Sequence, residues 1–533
     1  MSDGGLQRRG EQSAASLGLL LRRSCELRGD QLALVDDERS VGWNEFAGRV
    51  ARLARGLMQI GMKRGDRVAL LSENSARFIE AYFAVPWGGG VIAPINHRLS
   101  PLEIADILTD CGAEILIVDR THAHVVDDLT GRIAFKHVVL AAPGRPERAD
   151  WEGYEDLIAG AASMPDTGRS GDDVAALFYT SGSTGRPKGV MHSHANISAA
   201  CSAVIEAYEL DQASVALIAG PLFHVGATGL AIPVIAAAGA LTILPRFDAS
   251  LVLQRIERDK VTVTSAVPTM LRMLLEHPDC RRRDISSLCR IPFGGAPMPP
   301  ALLAQLIEVM PQARFLHSYG MTETVSSCTC LPDSWLRPES AAAGKANSIG
   351  RALAGVELSI RDGSDDEVAA GTIGEIAVRG ACVMRGYWNK EQMSAETLRG
   401  GWLHTGDLGY LDADGFLYIV DRLKDMIISG GENVYPAEVE AAIYAFPGVS
   451  QCAVIGIPDP RWGEAVHAMV VPREGVELSE PQLLAHCRAA IARYKCPRRI
   501  EIRTKALPLN GTNKIDKPAL RAPFWSGQGS TLV

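Results

Sequence analysis

Three stretches of this 533-residue chain set residue types side by side that do chemistry on charged small molecules. The first is TSGSTGRPKG, from Thr180 to Gly189. Gly182 and Gly185 can take backbone conformations closed to other residues, so successive N–H groups can converge on one point. The hydroxyls of Thr180, Ser181, Ser183 and Thr184 add donors, Lys188 adds a positive charge, and Pro187 restricts Arg186 before it. A polyphosphate is the natural ligand of such a loop, which the residue order places between the strand AALFY and a later helix. It is not a Walker loop, because counting from Gly182 puts Pro187 where GxxxxGK requires glycine. By composition alone a Gly/Ser/Thr run is more often a solvated loop; the fixed order, with one lysine and one proline, argues against that here.

The second stretch, HSYGMTE from His317 to Glu323, sets a flat aromatic face beside a carboxylate. The third, NGTNK, ends in Lys514, which an Asn-Gly turn can project as a point cation. Taken alone, Glu323 would be a surface carboxylate, Lys514 a solvated lysine, Asp407 of TGD a turn residue and Arg422 half of a surface ion pair. The HxH pair His192 and His194 has no third or fourth ligand in view, which argues against a metal.

The elements that must hold these residues follow from periodicity. Phe46, Val50, Leu53, Leu57 and Ile60 fall on one helix face. A strand VALLS, a helix through Phe78 to Val85 and a strand VIAPI follow, and Ser100-Pro101-Leu102-Glu103 is a capping box opening the next helix. Such alternation predicts parallel sheets covered by helices, an α/β fold. After Gly371 short strands and tight turns take over, with a hairpin at Asp412 to Gly415. Beyond Arg422 lies a small α+β pattern of its own: a helix Pro436 to Phe446, strands CAVIGIP and VHAMVVP, a helix Ser479 to Tyr494 and a strand RRIEIR.

Composition bounds the partners. The length calls for more than one domain. A net charge of −8 without a Lys/Arg-rich stripe argues against a nucleic-acid binder held by phosphate contacts. Eleven cysteines, scattered without a CxxC pair, read as buried free thiols in a reducing compartment. AASLGLLL, followed by Arg22 and Arg23, reads as an amphipathic helix rather than a signal segment, and Gly226 to Leu244, broken by Pro233 and glycines, as a helix and a strand. The expectation is a cytoplasmic protein with no transmembrane segment; a homodimer is left open.

TSGSTGRPKG resembles the phosphate loop of the AMP-forming adenylate superfamily: acyl-CoA synthetases, luciferases and adenylation domains. PLFH (Pro221 to His224), FGGAP (Phe293 to Pro297), YGMTE (Tyr319 to Glu323), TGD (Thr405 to Asp407), DRLKDMIISGGENVYPAEVE (Asp421 to Glu440) and NGTNKIDK (Asn510 to Lys517) follow in the family's order. The resemblance runs from about residue 20 to 520. It implies a large N-terminal domain, 1–421, of parallel and mixed sheets with a distorted β-barrel subdomain, a hinge at 422–425, and a small mobile α+β lid domain, 426–533.

It also implies an AMP-forming carboxylic acid–CoA ligase. ATP would convert the acid to acyl-AMP and pyrophosphate, and the thiol of CoA would then take the acyl group. Glu323 and Thr184 would hold Mg²⁺. Thr180, Ser181, Gly182, Ser183, Gly185 and Lys188 would take the phosphates. Tyr319 would offer a flat face to the adenine, with the backbone of Gly295, Ala296 and Pro297 closing the other side; Ser318, Gly320, Met321 and Thr322 would also bind ATP. Asp407 and Arg422 would hold the ribose. Lys514 would be the catalytic cation of adenylation, although Asn513 stands where the family usually has glycine. Lys424 would be the hinge, and Ser429, Gly430 and Gly431 would line the CoA tunnel.

For the acid, the resemblance points to His224 at the pocket entrance and to Gly226, Gly229, Val267, His317 and Val325 along its walls. These are small or apolar side chains without lysine or arginine, which disfavours dicarboxylates and amino acids. A medium or longer fatty acid comes first, with an aryl or arylpropenoic acid such as a hydroxycinnamate beside it. A luciferase-like oxidase, a carrier-loading module and, from another class, a non-catalytic nucleotide sensor are the competing readings.

Overall fold

Alternating helical and extended segments build two sheets in the first of two units, Met1–Leu358 with Val378–Leu403. The computed structural model describes residues 16–181, 187–296, 298–337, 344–423, 425–429, 432–509 and 515–525. One sheet has seven strands, in the order Glu152–Gly153, His137–Leu140, Ile115–Val118, Arg67–Leu71, Val91–Pro94, Val174–Ser181, Pro187–Ser193. Its neighbours are parallel except for the last pair. Central strands such as Ile115–Val118 are buried at every position, as helices on both faces require.

The other sheet has nine strands: Arg351–Ala352, Ser327–Leu331, Arg314–Gly320, Arg290–Gly294, Val263–Thr264, Val215–Ile218, Ala240–Ile243, Leu32–Val35 and Ser40–Gly42. It is parallel from Leu32–Val35 through Arg314–Gly320 and antiparallel at both ends. Asn74, just past the strand Arg67–Leu71, ties the sheets together. Its Nδ2 donates to the carbonyls of Gly220 (2.8 Å) and Leu244 (3.1 Å), and its Oδ1 accepts the Leu222 N–H (2.8 Å).

The helix Trp43–Gln59 buries Phe46, Val50, Leu53 and Leu57 completely, and the capping box at Ser100 and Glu103 is closed on both sides. The segment after Ser16 is the helix Leu17–Arg28, and the run from Gly226 splits into the helix Val225–Ala236 and the strand Ala240–Ile243. The strand expected across VTVTSAV shortens to Val263–Thr264, because Pro268 opens the next helix and Ala266 keeps only one bridge, to Phe293. The helix Ala76–Trp87 buries even Glu80, whose carboxylate receives Arg49 Nε at 2.8 Å, Arg39 Nη2 at 2.9 Å and Tyr154 Oη at 3.1 Å. Stripping one partner from a buried charge of this kind costs about 3–5 kcal/mol.

The second unit, Ser359–Ala377 with His404–Val533, holds most of a four-stranded sheet, Val356–Arg361, Gly374–Gly380, Leu403–Leu411, Leu417–Arg422 in that order. The last two strands form the hairpin over Asp412 to Gly415. Farther on, Glu432–Val434, Ile427–Ser429, Gly463–Pro472 and Val449–Asp459 pair in sequence, with Arg499–Ile502 parallel to Gly463–Pro472. Helices Pro436–Tyr444 and Glu480–Ala490 pack on this sheet through Val439, Ile443, Leu483 and Cys487. The latter helix stops four residues short of the expected Tyr494, since Ile491 is extended and Cys496 turns back into the core. The unit begins earlier in the chain than the hinge expected at 422–425. All eleven cysteines are free, nine of them buried, and among the described residues no helix is long and apolar enough to cross a membrane.

Candidate active site

The phosphate-type loop is the tip of a hairpin. Val174–Ser181 pairs antiparallel with Pro187–Ser193, with Thr180 opposite Lys188 and Ser181 opposite Pro187. The later helix expected after the loop is His194–Ala207, and a return strand that the sequence reading did not include comes before it. Along the return strand Val190, His192 and Ser193 are fully buried. Gly182, Ser183, Thr184 and Gly185 lie outside the described residues, as does the side chain of Ser181.

The outer side of the return strand is closed by residues 385–388. Met191 N–H donates to Gly386 O (3.0 Å), Arg385 N–H to Met191 O (3.0 Å) and Trp388 N–H to Gly189 O (2.7 Å), with a bridge between Val190 and Tyr387. Tyr179, on the strand entering the loop, donates its hydroxyl to Asp110 at 2.8 Å.

The strands Arg290–Gly294 and Arg314–Gly320 are parallel neighbours with Gly294 opposite Ser318. Their carboxyl ends bring FGGAP and SYGMTE together, the end of a parallel sheet where ligands bind. Gly295 turns with φ +74°, a conformation other residues avoid. Ala296 follows it, and Pro297 lies outside the described residues. Ser318 shares hydrogen-bond contact with Tyr208 Oη at 2.8 Å, and His317 stacks on Phe293 at 4.7 Å. Tyr319 and Gly320 end the strand; Met321 and Thr322 lead into a single turn of helix, Thr322–Thr324, that carries Glu323.

Glu323 is buried and held from two sides. Tyr387 donates its hydroxyl to Oε1 at 2.8 Å, and the Met384 N–H donates to the Glu323 carbonyl at 2.8 Å. Burial and the facing carboxylate raise the Tyr387 phenol above its ordinary pKa, so it stays a donor. Lys188 places its ammonium 5.0 Å from the centroid of the same ring. Buried His192 adds a third tie, with Nε2 2.7 Å from the Thr322 carbonyl; burial lowers its pKa from 6.5 to about 4. His194 instead accepts the Leu17 N–H through Nδ1 (3.3 Å), so the two histidines serve separate structural contacts.

Among the described residues no cluster of three or more His, Cys, Asp or Glu could hold a metal. The buried Glu323 carboxylate is nonetheless a hard oxygen donor, of the kind suited to an ion such as Mg²⁺ that keeps water and phosphate ligands.

An apolar cavity opens beside this turn, lined by Tyr82, Phe178, Ile197, Gly229, Ile232 and Val325 among others. A Cβ on Gly229 would lie 2.4 Å from Ser326 Oγ, so glycine is needed for that approach. Val325 sits at φ +63°, rare for a β-branched residue, which turns it toward this cavity edge. His224 caps the helix Val225–Ala236 and Gly226 lies in its first turn; Val267 precedes the helix Pro268–Glu276. Gly226, Val267, His224 and His317 are not among the residues lining this cavity. Tyr82, Phe178 and Ile197 escaped sequence reasoning because nothing local marks a core residue that also faces a cavity; Tyr387 escaped it too, although its place in a Gly-Tyr-Trp run was a usable signal.

In the second unit, Asp407 pairs across the hairpin with Arg422, Nε to Oδ1 3.3 Å, and its N–H donates to Thr405 Oγ1 at 3.1 Å. Asp407 is buried while Arg422 is exposed. Ser429 lies on the strand Ile427–Ser429, opposite Gly463. Lys424, Gly430, Gly431 and Lys514 lie outside the described residues.

A family model described as AMP-binding enzyme matches residues 21–388, and one described as AMP-binding enzyme C-terminal domain matches residues 438–514. A feruloyl-CoA synthase of Amycolatopsis is 40% identical over 90% of this chain and 93% of its own. A long-chain-fatty-acid–CoA ligase of Mycobacterium tuberculosis is 35% identical over 96% of this chain and 98% of its own. The crystal structure of ATP-bound MatB from Rhodopseudomonas palustris superposes with a TM-score of 0.85 at 30% identity, covering 96% of this chain and 99% of that one.

Proposed function

The chain belongs to the AMP-binding enzyme family as an AMP-forming acid–CoA ligase, and from that premise we propose that its acid is an arylpropenoate of the hydroxycinnamate type. The observation that carries the proposal is the cavity beside Glu323. Its lining includes two aromatic rings, Tyr82 and Phe178, and no charged side chain. An apolar or aromatic acyl group suits the chemistry of such walls, whereas a second carboxylate or an ammonium would be buried there unpaired. The 40% identity to a feruloyl-CoA synthase supports the same class, and the 35% identity to a long-chain ligase keeps a fatty acid as the second reading.

In the proposed first step a carboxylate oxygen of the acid attacks the α-phosphorus of ATP and the α–β bridge breaks, releasing pyrophosphate. The hairpin loop with Thr180, Ser181 and Lys188 takes the leaving phosphates, and Lys514 faces the charge that grows on the α-phosphate. Tyr319 and the Gly295–Ala296 backbone flank the adenine, and Asp407 with Arg422 receives the ribose hydroxyls. Glu323 and Thr184 would hold Mg²⁺, which when bound neutralises charge on the reacting phosphates. In the second step the CoA sulfur attacks the acyl carbon and AMP leaves. For this step we assign 1–421 as the catalytic body, 422–425 as hinge with Lys424, and 426–533 as lid with Ser429 to Gly431 along the pantetheine path.

The test is pyrophosphate release from a panel of ferulate, cinnamate, benzoate and straight-chain acids from eight to sixteen carbons, with and without CoA, and thioester detection by mass. The highest kcat/KM on ferulate or cinnamate supports the proposal. Preference for the longer straight chains overturns it in favour of the second reading, and acyl-AMP without thioester would refute the CoA step.

A further inference from the structure

We propose that Tyr387 is a positioning residue of the adenylation site: its hydroxyl fixes the Glu323 carboxylate while its ring seats the Lys188 ammonium, so one side chain sets the distance between the metal-side carboxylate and the phosphate-side cation. The inference rests on the reading above of Glu323 and Lys188 as MgATP ligands.

The geometry at the hydroxyl and over the ring carries it. The hydroxyl edge is 2.8 Å from Glu323 Oε1, and Lys188 Nζ is 5.0 Å from the ring centroid, within the range of a cation–π contact. Lys188 and Glu323 stand 135 positions apart, one on a strand of the seven-stranded sheet and the other on the helical turn Thr322–Thr324, so no strand register relates them. Tyr387 is itself held at two backbone points. Its backbone bridges Val190, its N–H donates to Ser394 Oγ at 2.8 Å, and the neighbouring Met384 N–H grips the Glu323 carbonyl. At 5% exposure it has no freedom to leave. A core tyrosine that merely needed a partner for its hydroxyl would be satisfied by any carbonyl. This one engages both charged groups assigned to the nucleotide. Without the hydroxyl, Glu323 would lose the hydrogen bond that orients it; without the ring, Lys188 would lose its cation–π contact.

The two contacts can be separated chemically. Tyr387→Phe keeps the ring and removes the hydroxyl, whereas Tyr387→Leu removes both. Two readouts are taken on the full chain: the Mg²⁺ concentration for half-maximal pyrophosphate release, and the Kd for ATP by calorimetry in EDTA. Melting temperature monitors folding, and Glu323→Gln serves as the reference variant. The expected result is that Tyr387→Phe raises the half-saturating Mg²⁺ about tenfold, the size of a lost hydrogen bond to a charged group, with metal-free ATP binding unchanged. Tyr387→Leu should add a loss of about three- to tenfold in metal-free ATP affinity. If Glu323→Gln shifts the Mg²⁺ requirement and Tyr387→Phe does not, the positioning role is overturned. It is overturned equally if the Phe and Leu variants behave alike and differ from the parent only in melting temperature. If Glu323→Gln itself leaves the Mg²⁺ requirement unchanged, the assignment of Glu323 fails, and with it the premise, a result distinct from either of the others.

Discussion

The imidazole Nε2 of His192 lies 2.7 Å from the carbonyl oxygen of Thr322. This one contact joins the return strand of the phosphate-type hairpin to the turn that carries Glu323, across 130 residues of chain. The ring is fully buried, its pKa lies near 4, and the hydrogen bond needs only the neutral form as donor. His194, two residues on, is likewise buried and lowered to about 4.

A pH dependence of stability follows from these two rings. Each binds its proton less readily folded than unfolded, so the unfolded chain takes up more protons as pH falls. Their contribution is therefore constant above about pH 6.5 and is lost from there down to about pH 4, by up to about 3 kcal/mol for each ring. Urea unfolding at pH 7.5, 5.5 and 4.5 should show that decline. His192→Gln, which can still donate to Thr322, should flatten part of it at a cost of about 1 kcal/mol at pH 7.5.

Lys514→Ala should abolish pyrophosphate release driven by the acid while leaving thioester formation from supplied acyl-AMP largely intact. Measuring the two half-reactions separately decides the assignment, and equal loss of both would remove Lys514 from its role. The Asn513 beside it should tolerate glycine without loss of the first half-reaction.

Asp407→Ala should raise the KM for ATP by about tenfold, the scale of losing a charged hydrogen-bond acceptor, with kcat changed less. Loss of the Arg422 pair by itself should move the melting temperature little, because Arg422 is exposed, with 55% of its side chain accessible, and such pairs contribute about 0–1 kcal/mol. Steady-state kinetics with ATP varied at saturating acid provides the check.

Gly229→Ala puts a methyl 2.4 Å from Ser326 Oγ and forces the Ser326 and Val325 edge of the cavity to move. The kcat/KM for the preferred acid should drop by about tenfold or more, as methyl-sized changes in apolar pockets do, while the KM for ATP stays within error. Small acids such as benzoate should be affected least.

The chemistry was legible in the sequence wherever it lay in one short segment. TSGSTGRPKG, YGMTE and TGD are runs whose order specifies donors, a carboxylate and a turn, and helix faces such as Phe46 to Leu57 show in a spacing of three and four. Those signals are local because hydrogen-bond loops, caps and amphipathic faces depend on residues within a turn or two of each other. Only the tertiary structure decided that the phosphate loop is a hairpin, that His192 and Tyr387 clamp the Glu323 turn, and that Tyr82, Phe178 and Gly229 share one cavity. Those relations depend on which strands become neighbours and in what register. Burial summed over both sheets settles that choice, and no residue's own identity announces it.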